Sequence, residues 1–277
     1  TGPQCEALEA LPTSIGGHIS QGVARARKLS PDQVTALADR APLSAEEART
    51  AGLIDRIGYR DQAVSEARSH AAPGVRTLTI ARYLREAGRP HASGSEIALI
   101  YGTGLITRGG GARGVLVTQD FGAKAIGRAF AAAARDKDVR AIVFRIDSPG
   151  GSATASETIW RDVAEARRSG KPVIVSMGDV AASGGYYVAA PADKIVAEPA
   201  TLTGSIGVLA GKIVLGGLLD KLGIAFGSAE RGANAGMFDA AEPFSPRARE
   251  RLNAELDATY AGFKSRVATG RHLSDDA

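Results

Sequence analysis

The chain has 277 residues, 44% hydrophobic and 23% charged, a composition typical of one large globular domain or two small ones. Its 34 basic and 30 acidic residues give a formal net charge of +4, and the basic residues are scattered along the chain. With aromatic residues at only 5%, this pattern argues against a nucleic-acid-binding protein. A single cysteine, Cys5, excludes an internal disulfide, and four scattered histidines argue against a histidine metal site. We therefore expect no metal ion and no cofactor.

No window of about 18 residues is both apolar and free of charge, so no membrane span is expected within the sequence and we expect the chain itself to be soluble. The sequence opens on the polar residues Thr1–Gln4 rather than on Met. No signal peptide is visible, which leaves room for a segment removed upstream.

An internal repeat connects the two ends of the chain. Residues 23–33 align with residues 267–277, with matching Val, Ala, Arg, Leu, Ser and Asp residues. The offset is far longer than the period of a solenoid, so either the match is accidental or it marks two copies of a whole domain. In the second case the sequence begins near the end of the first copy and stops before the end of the second copy.

Residues 1–70 have a helical pattern, in which Ser30 and Ser44 are placed as caps at helix starts. The region 71–95 is rich in Gly and Pro and contains only a short patterned segment at 78–84, so we place a domain boundary there. We accordingly divide the chain into residues 1–95 and residues 96–277.

Residues 96–277 alternate short apolar runs with amphipathic helices. Helices are predicted at 123–135 and 153–168. Buried strands are predicted at 97–101, 115–117, 141–146, 172–177 and 194–197. This alternation predicts an α/β fold in which helices cover a mainly parallel sheet.

Two glycine-rich turns each follow a predicted strand and precede a predicted helix. In the first, Ser148–Ser152, Pro149 fixes φ while Gly150 and Gly151 permit backbone conformations that leave peptide N–H groups aimed at a ligand. A tight strand-to-helix turn without a binding role explains the same residues.

The second turn places Ser183 between Ala182 and Gly184 at the start of a helix. There the hydroxyl is accessible and the neighbouring N–H groups are unpaired, as a nucleophile with an oxyanion hole requires. The alternative is that Ser183 is only an N-cap residue. The spacing alone leaves both interpretations open.

A nucleophilic serine needs a base, and the histidines are poorly placed, because three precede residue 96 and the fourth is His272. A lysine with a lowered pKa is the other option. The downstream candidates are Lys194, Lys212, Lys221 and Lys264. Lys212 is the least unfavourable of them, although a structural role suits it better, so the sequence offers a nucleophile without a convincing base.

Four motifs, in this order and spacing, resemble the signal peptide peptidase A (protease IV) family: residues 148–151, 176–178, 181–186 and 202–208. Residues 27–31 and 47–58 resemble the end of the first domain in the long, tandem form of that family. The resemblance implies a Clp-protease/crotonase-like fold of repeated ββα units. It also implies that residues 1–95, mainly helical, end one such domain and that residues 96–277 form a second, truncated at its C-terminus.

The same resemblance implies a serine endopeptidase with a Ser/Lys dyad that degrades cleaved signal peptides and small unfolded proteins. Carried over position by position, Ser183 matches the nucleophile, the backbone N–H groups of Gly151 and Gly184 match the oxyanion hole, and Gly150 shapes the loop. The family further implies a ring-like homo-oligomer, such as a tetramer, at the extracytoplasmic face of the cell membrane, with a membrane anchor outside this chain.

The base departs from the family pattern. In the short form, the lysine follows the second glycine-rich region, in a segment that resembles residues 230–236, and Ala235 stands at its position. In the long form the lysine comes from the first domain, upstream of the point at which Thr1 begins. We therefore expect the base lysine upstream of Thr1 and little peptidase activity from this chain alone.

Two rival functions remain. A crotonase-type acyl-CoA enzyme shares the implied fold and would assign the acid and base roles to carboxylates such as Glu157 or Glu198. A catalytically silent, peptide-binding scaffold would need no base at all.

Overall fold

The computed structural model describes residues 2–88, 94–109, 121–225, 227–228, 231 and 234–274. The chain divides into two compact units, Thr1–Gly94 and Ser95–Ala277. No helix among the described residues is both long and apolar enough to cross a bilayer. The strand predicted at 115–117 lies outside the described residues.

The first unit is helical, as predicted. Its helices are α1 (Gly2–Arg27), α2 (Pro31–Asp39), α3 (Ala45–Thr50), α4 (Arg60–Ser69) and α5 (Ile80–Glu86). Ser30 and Ser44 cap α2 and α3 with full capping boxes, because each hydroxyl accepts from the N3 amide and the Gln33 or Glu47 side chain accepts from the cap amide. Both predicted caps are therefore confirmed.

A two-pronged ion pair connects the end of α1 to the segment after α3. The Arg27 guanidinium donates to both carboxylate oxygens of Asp55, at 2.7 and 3.1 Å, and its Nε donates to the Gly52 carbonyl at 2.7 Å. These contacts join the two segments, 27–31 and 47–58, whose sequence motifs carry the family resemblance in this unit.

The second unit is mixed α/β. Its strands are β1 (Glu96–Thr103), β2 (Ile106–Thr107), β3 (Phe121–Gly122), β4 (Val139–Ser148), β5 (Val173–Ala182), β6 (Lys194–Val196) and β7 (Leu202–Gly204). Its helices are α6 (Ala123–Arg135), α7 (Ala153–Arg168), α8 (Gly184–Ala189), α9 (Gly216–Lys221) and α10 (Pro246–Arg271). The predicted α/β class is confirmed, and α6 and α7 have the predicted bounds.

The main sheet is parallel, in the order β1-β4-β5-β6, and β7 pairs with the last three residues of β5. Apolar side chains of the strands pack against α6 and α7, and Phe144 lies at the centre, with edge-to-face contacts to Phe121 and Phe130. Each pair of long strands is joined by a helix on this covered face, as parallel connections require. This core holds the carboxyl ends of β4 and β5 side by side.

Among the differences between this unit and the sequence prediction, two bear on the site. Strand β5 was expected to end at Met177 but continues to Ala182, because its last residues gain a second partner strand, β7. The 26-residue helix α10 was not predicted, although Ser245 and Pro246 give it the usual start signals, with Ser245 Oγ accepting from the Ala248 amide at 3.1 Å.

The two longest helices, one in each unit, have matching ends. Helices α1 and α10 start 244 residues apart, at Gly2 and Pro246, and end 244 residues apart, at Arg27 and Arg271. Each is followed by a left-handed residue, Lys28 with φ 56° and His272 with φ 55°. The next residue then donates back into the helix at 3.0 Å, Leu29 to Ala24 and Leu273 to Ala268. The repeated sequence therefore adopts the same local structure twice.

Candidate active site

Ser183 lies at the junction between β5 and α8, in a backbone conformation that side chains rarely adopt, with φ 50° and ψ −119°. Its own amide donates to the Gly204 carbonyl at 2.9 Å, and its carbonyl accepts from the Tyr187 amide at 2.9 Å. The main chain of this residue is thus fixed on both sides by hydrogen bonds.

The Ser183 hydroxyl is not used as a helix cap. Ser183 occupies the N-cap position of α8, yet its side chain makes no capping hydrogen bond, and no other hydrogen bond of Oγ is found among the described residues. Ser183 therefore stands at the N-cap position without the capping hydrogen bond that the N-cap interpretation requires. The half-buried hydroxyl remains available to a ligand.

The diglycine turn after β4 packs directly against Ser183. A Cβ on Gly150 would lie 2.7 Å from the Gly184 nitrogen and 2.9 Å from the Ser183 Cβ, and Gly150 has φ +104°. A Cβ on Gly151 would lie 2.4 Å from the Ile106 carbonyl oxygen. The buried Ser148 hydroxyl holds the turn by accepting from the Gly150 amide at 3.1 Å. Both glycines are therefore needed for the close approach of these backbones.

Two backbone amides beside Ser183 have no acceptor among the described residues. The Gly184 N–H is at the first position of α8, where no carbonyl of the helix can reach it. Gly151 and Ile106 form an isolated β-bridge, in which the Ile106 amide donates to the Gly150 carbonyl and the Ser152 amide donates to the Ile106 carbonyl. The Gly151 N–H takes part in neither bond. Gly151, Ser183 and Gly184 line one cavity.

This cavity has a volume of about 490 Å³. Its wall is mostly apolar and includes Tyr187 from α8 and Thr259 and Phe263 from α10. The other lining residues come from the two turns, from α7 and from the segment after β7: Pro149, Ala153, Ser156, Ser205, Gly207, Val208 and Leu209. A cavity of this kind suits an apolar side chain placed beside a reactive hydroxyl.

The α10 wall was not predicted from the sequence. Thr259 and Phe263 are one helical turn apart, a spacing that predicts a common face once the helix is recognised from Ser245 and Pro246. That this face packs on α8 depends on contacts between residues far apart in the chain, and no local pattern indicates it.

Behind the cavity wall, one carboxylate joins three helices. Glu157 of α7 accepts a hydrogen bond from the Tyr187 hydroxyl and two from the Arg266 guanidinium, at 2.6 and 3.2 Å. The Arg266 guanidinium also lies 4.0 Å from the ring centre of Trp160, on α7. The rings of Tyr187 and Phe263 are 4.8 Å apart. The cavity wall formed by α8 and α10 is thus connected to α7.

The pKa values of this cluster reflect its pairing. Burial raises the pKa of Tyr187 to about 12, and the hydrogen bond to Glu157 acts in the same direction. Burial alone would raise the pKa of Glu157, but the hydrogen bonds from Arg266 and Tyr187 outweigh it and lower the pKa. Tyr187 therefore stays protonated and Glu157 stays ionised at neutral pH. The lowered pKa makes Glu157 a weaker base, and its oxygens are occupied by Arg266 and Tyr187, so neither group is placed to take a proton in the cavity.

The candidate lysines do not reach the cavity. The Lys212 amine donates to the Asp239 carbonyl at 2.7 Å and lies over the Phe244 ring, which accounts for it structurally. Lys194, Lys221 and Lys264 are exposed. The described residues that line the cavity include no lysine and no histidine.

The carboxylates of the crotonase-type alternative do not line the cavity either. Glu157 is engaged by Tyr187 and Arg266, and Glu198 is exposed, 3.6 Å from the Arg145 guanidinium. Among the described residues, no group suited to the acid and base roles of that reaction faces Ser183. Ala235, which stands at the position of the base lysine in the short form of the family, is also exposed.

A serine hydroxyl without a hydrogen-bond partner, two backbone amides without acceptors and an apolar cavity are brought together among the described residues. Acyl transfer requires groups of these kinds, since a hydroxyl must attack a carbonyl and amides must hold the oxyanion. The chain belongs to peptidase family S49, whose model matches residues 17–73 and 165–277.

Several curated relatives carry protease names. The serine protease SPPA, chloroplastic, of Arabidopsis thaliana is 32% identical over 98% of this chain and 41% of its own length. Protease 4 of Salmonella typhi is 36% identical over 66% of this chain and 28% of its own. This chain thus spans less than half the length of these relatives. Among solved structures, a mutant form of ClpP1 from Listeria monocytogenes matches 65% of this chain and 75% of its own with a TM-score of 0.37 and 13% identity, a similarity too weak to define a site.

Proposed function

We propose that this chain carries the nucleophile of a serine endopeptidase, with Ser183 as the attacking residue and the N–H groups of Gly151 and Gly184 as the oxyanion hole. The observation that carries the proposal is the Ser183 hydroxyl, which has no hydrogen bond among the described residues and lies in the same cavity as the two free amides. Membership of peptidase family S49 supports it independently.

In the proposed mechanism, an unprotonated lysine amine takes the proton of Ser183, and Oγ attacks the carbonyl carbon of a peptide. The Gly151 and Gly184 amides stabilise the oxyanion of the tetrahedral intermediate. Its collapse breaks the peptide bond, the lysine returns the proton to the leaving amine, and water then hydrolyses the acyl-enzyme. The substrates we propose are cleaved signal peptides and small unfolded proteins.

We propose that the lysine of this Ser/Lys dyad lies outside this chain, upstream of Thr1, in a preceding domain. The absence of lysine and histidine from the described residues of the cavity wall supports this. The proposal also assigns residues 1–95 to the end of that preceding domain and residues 96–277 to a second one. The matching ends of α1 and α10, and the two separate matches to the family model, support this division.

As further parts of the proposal, the whole protein forms a ring-like homo-oligomer, such as a tetramer, and a membrane anchor outside this chain holds it at the extracytoplasmic face of a membrane. These parts rest on the family resemblance alone.

The test is Ser183→Ala in the natural full-length polypeptide, assayed with an apolar peptide substrate and a fluorophosphonate probe. We expect an unchanged fold, no hydrolysis and no labelling, whereas the parent is labelled at Ser183. Hydrolysis retained by the variant would refute the assignment. A parent that binds peptides yet is neither labelled nor active would instead support the silent scaffold, which the missing base in the described cavity favours.

A further inference from the structure

Glu157 holds two walls of the candidate site at once. Its Oε2 accepts from the Tyr187 hydroxyl on α8 and, at 3.2 Å, from the Arg266 Nε on α10, while its Oε1 accepts from Arg266 at 2.6 Å. Glu157 itself lies on α7, which begins directly after the diglycine turn. One carboxylate thus connects the element that follows Gly151 to the helix that follows Ser183 and to the helix that carries Phe263.

We propose that Glu157 is a positioning residue for the reaction, acting through Tyr187 on the Ser183–Gly184 junction and through Arg266 on the cavity wall formed by Thr259 and Phe263. The inference rests on the proposed function, because it assigns a role in a hydrolysis that Ser183 performs. Glu157 touches no substrate in this scheme, since it is not among the lining residues of the cavity.

The hydrogen bond between Glu157 and the Tyr187 hydroxyl, here called the Tyr187 branch, sets the position of the proposed reacting groups. Tyr187 is four residues after Ser183, and its amide donates to the Ser183 carbonyl at 2.9 Å, so the hydroxyl and the amide of Tyr187 fix the same short helix at two points. Helix α8 has only six residues and supplies the Gly184 amide from its first position. A small rotation of this helix moves the nucleophile and the oxyanion donor together, and misplacement of about 1 Å costs about 100-fold in rate.

The two hydrogen bonds between Glu157 and Arg266, here called the Arg266 branch, set the position of the cavity wall that would contact the substrate side chain. Phe263 is buried against Tyr187 and Ala190, and Gly270 lets α10 approach Ala190 so closely that a Cβ there would lie 2.3 Å from the Ala190 carbonyl oxygen. Arg266 lies between these two contacts and binds Glu157 through two nitrogens. Charge-assisted, two-pronged hydrogen bonds of this type are directional, so they set where the helix and its Phe263 side chain lie.

Each branch has its own kinetic signature. Tyr187→Phe removes only the hydroxyl bond to α7, so we expect kcat to fall about 10- to 100-fold with KM nearly unchanged. Arg266→Gln removes the two-pronged bond to Glu157 and the guanidinium contact with Trp160, both of which join α10 to α7. We therefore expect KM to rise and the preference among apolar side chains to relax, with a smaller effect on kcat. Glu157→Ala combines both effects. Glu157→Gln, which keeps an acceptor without the charge, lies between Glu157→Ala and the parent.

The experiment measures kcat and KM of these variants in the full-length polypeptide with peptides that differ only in the residue before the cleaved bond, normalised to the active fraction by fluorophosphonate titration. The same normalisation separates a positioning role from a loss of folded protein. Arg168→Gln is a matched control, because Arg168 pairs only with Glu165 on the same helix among the residues that the structure describes. In the double variant Glu157→Gln/Tyr187→Phe, we expect no further loss of kcat beyond the larger single effect.

Two outcomes are distinguishable. Parent-like kcat and KM in Glu157→Ala, beside an inactive Ser183→Ala, overturn this inference and leave the proposed function standing. A parent polypeptide without hydrolysis, or an active Ser183→Ala, overturns the proposed function and this inference with it.

Discussion

A Cβ placed on Gly150 would lie 2.9 Å from the Cβ of Ser183, a separation that two real side chains do not adopt. Nothing but glycine therefore fits opposite the serine. Because Gly150 also has φ +104°, the position excludes a side chain for two separate reasons, steric contact and backbone conformation.

We predict that Gly150→Ala disables the site. The added methyl group must displace either Ser183 or the Gly184 amide, so we expect a loss of reactivity toward a fluorophosphonate of about 100-fold. Gly170→Ala is the matched control, because Gly170 has φ +87° and no described atom lies within 4 Å of the place that its methyl group would occupy. This control should cost stability, about 1 kcal/mol, without loss of reactivity. Equal reactivity in the two variants would contradict the close-contact interpretation.

Replacing Ser183 by glycine separates the effect of backbone strain on stability from the effect of losing the hydroxyl on activity. Ser183 is held at φ 50°, a conformation that glycine adopts with little cost and that costs other residues about 1–3 kcal/mol. We therefore expect Ser183→Gly to be inactive yet more stable to urea than Ser183→Ala, by about 1 kcal/mol. Urea titrations of both variants under identical conditions give the comparison. A glycine variant less stable than the alanine variant would show that the backbone here is unstrained.

The pH dependence of α10 docking follows from Glu157. Because its pKa is lowered in the folded state, the stabilisation it provides is present above its unfolded pKa, about 4.3, and is lost as the pH falls through the folded value. The charged groups that face it are Arg266 and Arg161, with Tyr187 as a neutral donor. We expect the docked state to persist at neutral pH and to weaken in acid.

Trp160 reports this event directly, since it is the only tryptophan of the chain and Arg266 lies over its ring. We expect an acid transition in its fluorescence that is absent in Glu157→Gln. A transition of equal size and midpoint in that variant would assign it to another group.

Asp162 is predicted to be mildly destabilising. Burial raises its pKa, and no hydrogen bond or ion pair of its carboxylate is found within the described part of the chain. A raised folded-state pKa means that stability falls as the pH rises through that value, so the ionised form at neutral pH is the unfavourable one. We expect Asp162→Asn to gain up to about 0.5 kcal/mol at pH 7 and nothing at a pH well below the pKa. Denaturant unfolding at both pH values tests this, and an equal gain at both would contradict the burial argument.

Elements defined by local interactions could be predicted from the sequence more accurately than those that depend on distant partners. Helices α6 and α7 have the predicted bounds because their apolar periodicity and end residues are local. The end of β5 was placed at Met177, five residues early, because its continuation depends on pairing with β7.

The candidate site shows the same difference between features set by local sequence and features set by distant contacts. The glycine-rich turns and Ser183 could be identified from the chain, since a reactive turn leaves a local pattern of Gly, Pro and Ser. The cavity wall on α10 and the Glu157–Arg266 pair, 109 residues apart, could not, because such a contact exists only after the helices pack. The roles of Ser183, Gly151 and Gly184 stay predictions for the experiments above.

The last residues of β5 pair with β7 on one side and with the end of β4 on the other, and the Ser183 amide extends the first of these ladders to Gly204. The Ser183 hydroxyl is therefore placed by main-chain hydrogen bonds, which do not depend on the side chains of the residues that make them. Many surrounding side chains, and with them the proposed choice of peptide, can therefore vary while the Ser183 oxygen keeps its position.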